Sequence, residues 1–198
     1  MTGRYRPIRA AGPRRLRRAF SCAGAAAGLA LVLAGCSPEY NWREIKATTD
    51  GYAVMLPAKP SSATRRINLE GLSIEMTMQG ASAADNSFAV GTVKLPADDD
   101  AARAKAAGAM RAQMVRNIAG KETASAQFSV PVVDRAGVKV GAALATRIEA
   151  TGQAQGKPAV LLAGFVARGA RVYQYLVLGP NPDREQAAVF LDSFKLIE

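Results

Sequence analysis

The first 35 residues differ sharply in character from the rest of the chain. Seven arginines and no acidic residue lie within the first 18 residues, and residues 19–34 carry no charge at all. This uncharged stretch is rich in Ala and Gly and is shorter than the roughly 20 residues of a membrane-spanning helix. A basic stretch followed by a short apolar one is the order of a secretory signal peptide, which is removed after export. The mature chain is therefore predicted to begin at Cys36 and to comprise 163 of the 198 residues, enough for one domain.

The residues around the predicted cleavage point carry a more specific signal. Leu33-Ala34-Gly35-Cys36 resembles the lipobox of bacterial lipoproteins, in which the Cys thiol accepts a diacylglyceryl group. The resemblance implies that Cys36 is the mature N-terminus, the lipidation site and the attachment to the membrane. Ser37 implies the outer membrane, on its periplasmic side, because an Asp at this position is typical of lipoproteins kept in the inner membrane. The predicted organisation is a signal peptide over 1–35, a lipidated tether over 36–50 and a folded domain over 51–198.

The export route has two interpretations. Arg17-Arg18-Ala19-Phe20 resembles the centre of a twin-arginine signal, whereas an Arg-rich start is also typical of the general secretory route, which we favour.

Removal of the leader also changes the charge of the chain. The formal charge of +10 falls to +3, with 19 basic and 16 acidic residues from Cys36 onward. This small excess, without a basic stripe interleaved with aromatic residues, argues against a nucleic-acid partner.

Alternating and apolar segments in the first half of the domain predict strands. Tyr52–Leu56 ends at Pro57 and is predicted to be a short strand. The segment 72–79 alternates apolar and polar residues with a period of two, which indicates a strand with one buried face. A polar loop that contains Gly80, Asp85 and Asn86 separates it from an apolar segment over 88–95. These two segments are predicted to form an antiparallel hairpin.

A helix is predicted between Asp98 and Gly120. Three consecutive acids, Asp98 to Asp100, complement the N-terminal end of the helix dipole, and Gly120 suits the left-handed position after the last turn. Apolar residues recur every four positions along this segment, which predicts that the helix covers a sheet. The three acids could also be considered as calcium ligands, but the spacing of a calcium-binding loop is missing.

The second half repeats the strand pattern. Strands are predicted over 128–133, 140–150, 157–167 and 171–178, with a two-residue turn at Gly169-Ala170. The third of these is apolar on both faces, which indicates a central strand. A closing helix is predicted after Asn181, with Pro182 at its first position and an apolar stripe toward the core.

Strands, a helix, more strands and a second helix predict an α+β fold. The expected architecture is a single domain with a central antiparallel sheet of about six to seven strands flanked by two helices. The opening strand 51–57 and the closing strand, helix and Ser193-Phe194-Lys195 exit are similar to the PsbP-like and DcrB-like superfamily. That resemblance implies an accessory role outside the cytoplasm and assigns no functional residue.

The residue types restrict the chemistry. The chain has no His, and its two cysteines are Cys22, in the leader, and Cys36. Serine–histidine and cysteine–histidine nucleophile systems are thereby excluded, and a zinc or copper site is not expected. The segment 152–158 resembles a phosphate-binding loop, but it is one residue short and has Pro158 where a magnesium-binding Ser or Thr is required. No cofactor, metal site or catalytic residue is predicted.

Three hypotheses for the function follow. The leading one is a non-catalytic envelope lipoprotein, a binding or accessory module with a possible protein partner in the envelope. The second is a small periplasmic hydrolase that uses a Ser–Lys pair or carboxylates, for which the candidates are Glu70, Glu75, Asp85 and Glu149. The third is a carrier of an apolar ligand. Methionine side chains are flexible enough to line such a site, and the candidates are Met55, Met76, Met78, Met110 and Met114.

Overall fold

The structure, a computed structural model, describes residues 39–69 and 71–198. Ten strands and two helices follow one another in this part of the chain. In chain order they are β1 (Arg43–Ala47), β2 (Tyr52–Leu56), β3 (Ser61–Leu69), β4 (Leu72–Ala83), β5 (Asn86–Lys94), α1 (Asp100–Asn117), β6 (Lys121–Val133), β7 (Lys139–Ala154), β8 (Lys157–Arg168), β9 (Arg171–Gly179), α2 (Arg184–Ser193) and β10 (Lys195–Ile197).

All ten strands belong to one sheet in the order β1-β2-β10-β6-β7-β8-β9-β5-β4-β3. Neighbouring strands are antiparallel except for β10 and β6, which run parallel. The predicted fold class was wrong, because the described part of the chain is mostly β, with a ten-stranded sheet in place of one with six or seven strands. The extra strands are β1, β3 and β10, and β6 begins at Lys121, seven residues before the predicted start.

The sheet curls so that strands near its two edges approach each other. The Tyr52 hydroxyl on β2 donates a hydrogen bond to Oε1 of Gln79 on β4, over 3.0 Å. Tyr52 also packs edge-on against Tyr173 of β9, with 6.2 Å between the ring centroids. The curl gives the sheet an inner and an outer surface, each with its own buried cluster.

Six strands lie between β2 and β4 in the sheet order, so a direct contact between these two strands requires strong curvature. One buried cluster lies on the surface covered by α2, and its largest members are Tyr52, Phe88, Tyr175, Phe190 and Phe194. The other lies on the surface covered by α1 and includes Met76, Met110 and Phe165. Strand β8 contributes to both clusters, as predicted for a central strand.

Both helices begin at an aspartate that caps the first turn. The Asp99 side chain accepts a hydrogen bond from the Ala102 backbone N–H, and Asp183 accepts from the N–H groups of Glu185 and Gln186. The predicted cap at the start of α1 is confirmed. Two details were wrong: the left-handed residue after α1 is Ala119 and not Gly120, and α2 begins two residues after Pro182.

Residues 39–50, which the sequence analysis assigned to a tether, pack on the domain. Strand β1 pairs antiparallel with β2 along its whole length. The Trp42 ring lies edge-on to Phe88 at 5.8 Å, and its indole N–H donates to Oε1 of Gln186 over 3.1 Å. Tyr40 stacks on Trp42. Of the predicted tether, Cys36, Ser37 and Pro38 lie outside the described residues.

Candidate ligand groove

The candidate carboxylates do not converge in the described part of the chain. Glu149 accepts two hydrogen bonds from the Arg184 guanidinium, at 2.7 and 2.8 Å, and this pairing holds its pKa below the usual value. Glu75 is exposed and lies 3.9 Å from Arg66. Asp85 occupies the turn between β4 and β5, and Glu70 lies outside the described residues. Within residues 39–69 and 71–198, Glu75 and Glu149 therefore each face an arginine.

The loop that resembles a phosphate-binding loop is part of a hairpin. Gly152 pairs with Ala159, and Gln153 pairs with Pro158, in the ladder between β7 and β8. A phosphate-binding loop would instead lead from a strand into a helix. Within residues 39–69 and 71–198, no group of three or more Asp, Glu, His or Cys side chains could hold a metal ion. Asp99, one of the three acids considered for calcium, caps α1.

An apolar groove lies between α1 and the surface formed by β3, β4, β5 and β9. Its volume is about 570 Å³, within the range of pockets that bind small molecules. We call it the methionine groove. It is lined by Arg65, Ile67, Asn68, Leu69, Met76, Met78, Ser87, Ala89, Met110, Gln113, Met114, Asn117, Gln174, Leu176 and Leu178.

Four of the five methionines predicted as lining meet in this groove. Met76 and Met78 are two residues apart on β4 and therefore point to the same face of the sheet. Met110 and Met114 are one turn apart on α1 and face them. The fifth, Met55, lies on β2 and outside the groove, where its backbone N–H donates to the Ser193 hydroxyl over 2.9 Å. Thioether side chains adapt their shape to a ligand at little cost.

A buried amide interrupts the apolar wall. Gln174 on β9 is only 4% exposed, and its Nε2 lies 3.9 Å from the Met76 sulfur and 3.8 Å from the Met78 sulfur. Sulfur is a weak acceptor, so this N–H group has no strong partner among the described residues. Gly91 on β5 makes room for this arrangement, because a Cβ atom there would lie 2.7 Å from the Met78 sulfur and 2.9 Å from Gln174 Cγ.

One positively charged side chain lies at the edge of the groove. Arg65 on β3 is the only charged residue of the lining, and its side chain makes no ion pair with any described residue. Its neighbour Arg66 points to the opposite face of the strand and lies near Glu75. The remaining polar lining is uncharged and comes from Asn68, Ser87, Gln113, Asn117 and Gln174.

An ion pair holds α1 against the sheet. The Arg111 Nε donates to Glu122 Oε1 over 2.7 Å, and Nη2 contacts the second carboxylate oxygen. The hydrogen bonds from Arg111 lower the pKa of Glu122 and Glu122 raises the pKa of Arg111. Glu122 is on β6. The pair therefore connects α1, which forms one wall of the groove, to a strand that lies beyond β7 in the sheet.

Sequence reasoning identified the methionines but missed Gln174 and Arg65. Gln174 sits within an apolar strand and could have been singled out as a polar residue at a position where burial is expected. Arg65 belongs to a strand that the sequence did not predict, so no signal placed it near the methionines.

No protein-family model matches the chain, and no curated protein matches it. Among solved structures, it is similar to the crystal structure of a protein of unknown function from Pseudomonas aeruginosa. The two share 14% sequence identity, with a TM-score of 0.33, over 59% of this chain and 82% of the other. A likeness at this level supports no inference about function. In the part of the chain that the structure describes, neither helix is long and apolar enough to cross a membrane.

Proposed function

We propose that the protein is a non-catalytic lipoprotein of the bacterial cell envelope that binds a small apolar ligand in the methionine groove. The lipid on Cys36 anchors it to the outer membrane on the periplasmic side, and export removes residues 1–35. The observation that carries the binding role is the meeting of Met76, Met78, Met110 and Met114 around a cavity of about 570 Å³.

The chemistry of the lining supports binding over catalysis. General acid–base catalysis needs a titratable group that can gain and lose a proton near neutral pH. The groove is lined by apolar side chains, uncharged polar ones and Arg65, and a guanidinium stays protonated at all ordinary pH values. A flexible apolar wall with a few polar groups is instead typical of a site that binds and releases its ligand unchanged.

The proposal is tested by titration with a neutral apolar fluorophore, N-phenyl-1-naphthylamine, whose emission rises in an apolar site. The protein is the mature chain, residues 36–198, with Cys36→Ser to remove the lipid. Saturable binding is expected. Met114→Lys puts a charge into the groove and should weaken binding at least about tenfold, because an unpaired ammonium is costly in an apolar site.

Ala112→Lys is the matched control. Ala112 lies on the same helix, is exposed and does not line the groove, so this variant should bind the fluorophore like the parent protein. Absence of saturable binding, or equal loss in the two lysine variants with both still folded by circular dichroism, would overturn the proposed function.

A further inference from the structure

We propose that the ligand of the methionine groove is an acyl chain with one anionic head group, taken up from the membrane to which Cys36 anchors the protein. This inference rests on the proposed function and specifies its ligand class and source. It combines the charge of the groove, the position of its polar groups and the place where the chain enters the domain.

The charge of the groove selects for an anion. Arg65 is the only charged residue of the lining and has no carboxylate partner in the described part of the chain. It is exposed at the edge of the groove on β3, whereas the thioethers of Met76 and Met110 are buried. A ligand that places an anionic head near the guanidinium and an apolar chain against the thioethers would complement both parts of the site.

Gln174 adds a second polar contact inside the groove. Its amide N–H lies against two sulfur atoms, which are weak acceptors. An oxygen of the head group, either carboxylate or ester, would be a stronger acceptor for this buried donor. A ligand without an oxygen atom would leave the Gln174 N–H group with only the two sulfur atoms as acceptors.

The described chain enters the domain at the end of the sheet where one end of the groove also lies. Ser87 and Leu178 pair with each other at the start of β5 and the end of β9 and line this end of the groove. Phe88, the residue after Ser87, points to the opposite face of the sheet, where it contacts Tyr40 with 6.3 Å between the ring centroids. Cys36 precedes Tyr40 by four residues, which span at most about 14 Å when extended. A lipid on Cys36 would therefore hold this end of the sheet within a few tens of ångströms of the membrane surface.

The charge selection is tested by comparing palmitate with hexadecanol, which has the same chain length and no charge. Both are titrated against the mature chain with Cys36→Ser, by displacement of N-phenyl-1-naphthylamine. The parent protein should bind palmitate about tenfold more tightly than hexadecanol, and Arg65→Gln should remove this preference by weakening palmitate binding. Arg66→Gln, on the opposite face of β3, is the matched control and should keep the preference.

The outcomes separate this inference from the proposed function. Equal affinity of the parent protein for palmitate and hexadecanol would overturn the selection of an anion. An equal effect of Arg65→Gln and Arg66→Gln on the preference would do the same. Neither result would contradict the binding of an apolar ligand. Failure of both compounds to displace bound fluorophore would overturn the acyl ligand. Failure of the fluorophore itself to bind would overturn the proposed function.

Uptake from the membrane is tested with the lipidated protein in phospholipid vesicles that contain a photoactivatable fatty acid. Peptides that carry Ser87, Met114 or Leu178 should be labelled. The turn at 134–138, at the other end of the strands, should not be labelled. Labelling of that turn alone would overturn loading from the membrane. Loading would also be contradicted if the fatty acid labelled the groove peptides in solution but not when it was supplied in vesicles.

Discussion

At the scale of single residues, a glycine on β8 makes space for a large aromatic ring on β9. Gly164 is paired with Tyr175, and a Cβ atom at Gly164 would overlap the Tyr175 ring. Tyr175 is fully buried and stacks on Phe194 with 4.2 Å between the ring centroids. A Cβ atom at Gly164 would therefore force this buried ring to shift against Phe194.

We expect Gly164→Ala to lower the free energy of unfolding by about 1–3 kcal/mol, the usual cost of overpacking a core. Gly108→Ala is the control, because Gly108 lies within α1 and nothing lies within 4 Å of the position of its Cβ atom. That substitution should raise the free energy of unfolding by about 0.5–1 kcal/mol. Urea denaturation of both variants checks the signs. An unchanged stability of Gly164→Ala would contradict the packing of Tyr175.

At the scale of elements, α1 is held over the sheet by packing and by the Arg111–Glu122 pair. The side chains of both residues are about one-third exposed, 33% and 29%, so solvent screening keeps the pair weak. The pair joins the helix that forms one wall of the methionine groove to β6.

The lowered pKa of Glu122 predicts how this contribution varies with pH. The pair contributes to stability above the ordinary glutamate pKa of 4.5, and the contribution is lost as the pH falls through the lowered value. Glu122→Gln should therefore cost up to about 1 kcal/mol at pH 7 and less at pH 3. Glu75→Gln, at an exposed pair with 3.9 Å between the charged atoms, should have a smaller effect at pH 7. An equal effect of Glu122→Gln at both pH values, measured by urea denaturation, would contradict the ion pair.

The elements that could be predicted from sequence are those that bury a regular face. Strand β2 was predicted with the observed bounds, and the pairing of β4 with β5 and the turn between β8 and β9 are confirmed. The strands that were missed bury little. Residues 61–66 of β3 are all exposed, and the first half of β6 is mostly exposed, so neither shows an alternating pattern. β10 has only three residues.

The candidate groove was partly predictable for the same reason. The methionines stand out in the sequence because they recur at the spacing of a helix or of a strand. The same spacing is equally typical of a closed core. The cavity between them depends on how far α1 sits from β3 and β4, which is a property of tertiary packing. Arg65 could not be assigned because its strand was not predicted.

At the scale of the whole molecule, the position of the first described residues would set how a lipid-anchored domain meets the membrane. Residues 39–50 pack on the domain, so Ser37 and Pro38 are the residues that separate Cys36 from the described chain. The packing of Tyr40 and Trp42 near Phe88 puts the chain entry at one end of the sheet. Under the proposed function, lipid on Cys36 would hold this end of the sheet near the membrane.

We expect the protein isolated from the envelope to begin at Cys36 and to carry acyl chains. Stable attachment needs more than one chain, since each buried methylene contributes about 0.8 kcal/mol. Intact-mass spectrometry of the membrane fraction measures both features. Cys36→Ala should remove the added mass and leave the circular dichroism spectrum of the domain unchanged. A mature protein that starts elsewhere, without acyl mass, would contradict the anchor.

The most direct test of the central claim, that the methionine groove binds an apolar chain, is a methionine methyl NMR titration. Residues 36–198 contain five methionines, of which four line the groove and Met55 does not. With ¹³C-labelled methyl groups, addition of palmitate should shift the signals of Met76, Met78, Met110 and Met114 and leave the Met55 signal in place. Shifts of equal size at all five methyl groups, or none at the four in the groove while palmitate binds, would contradict the account.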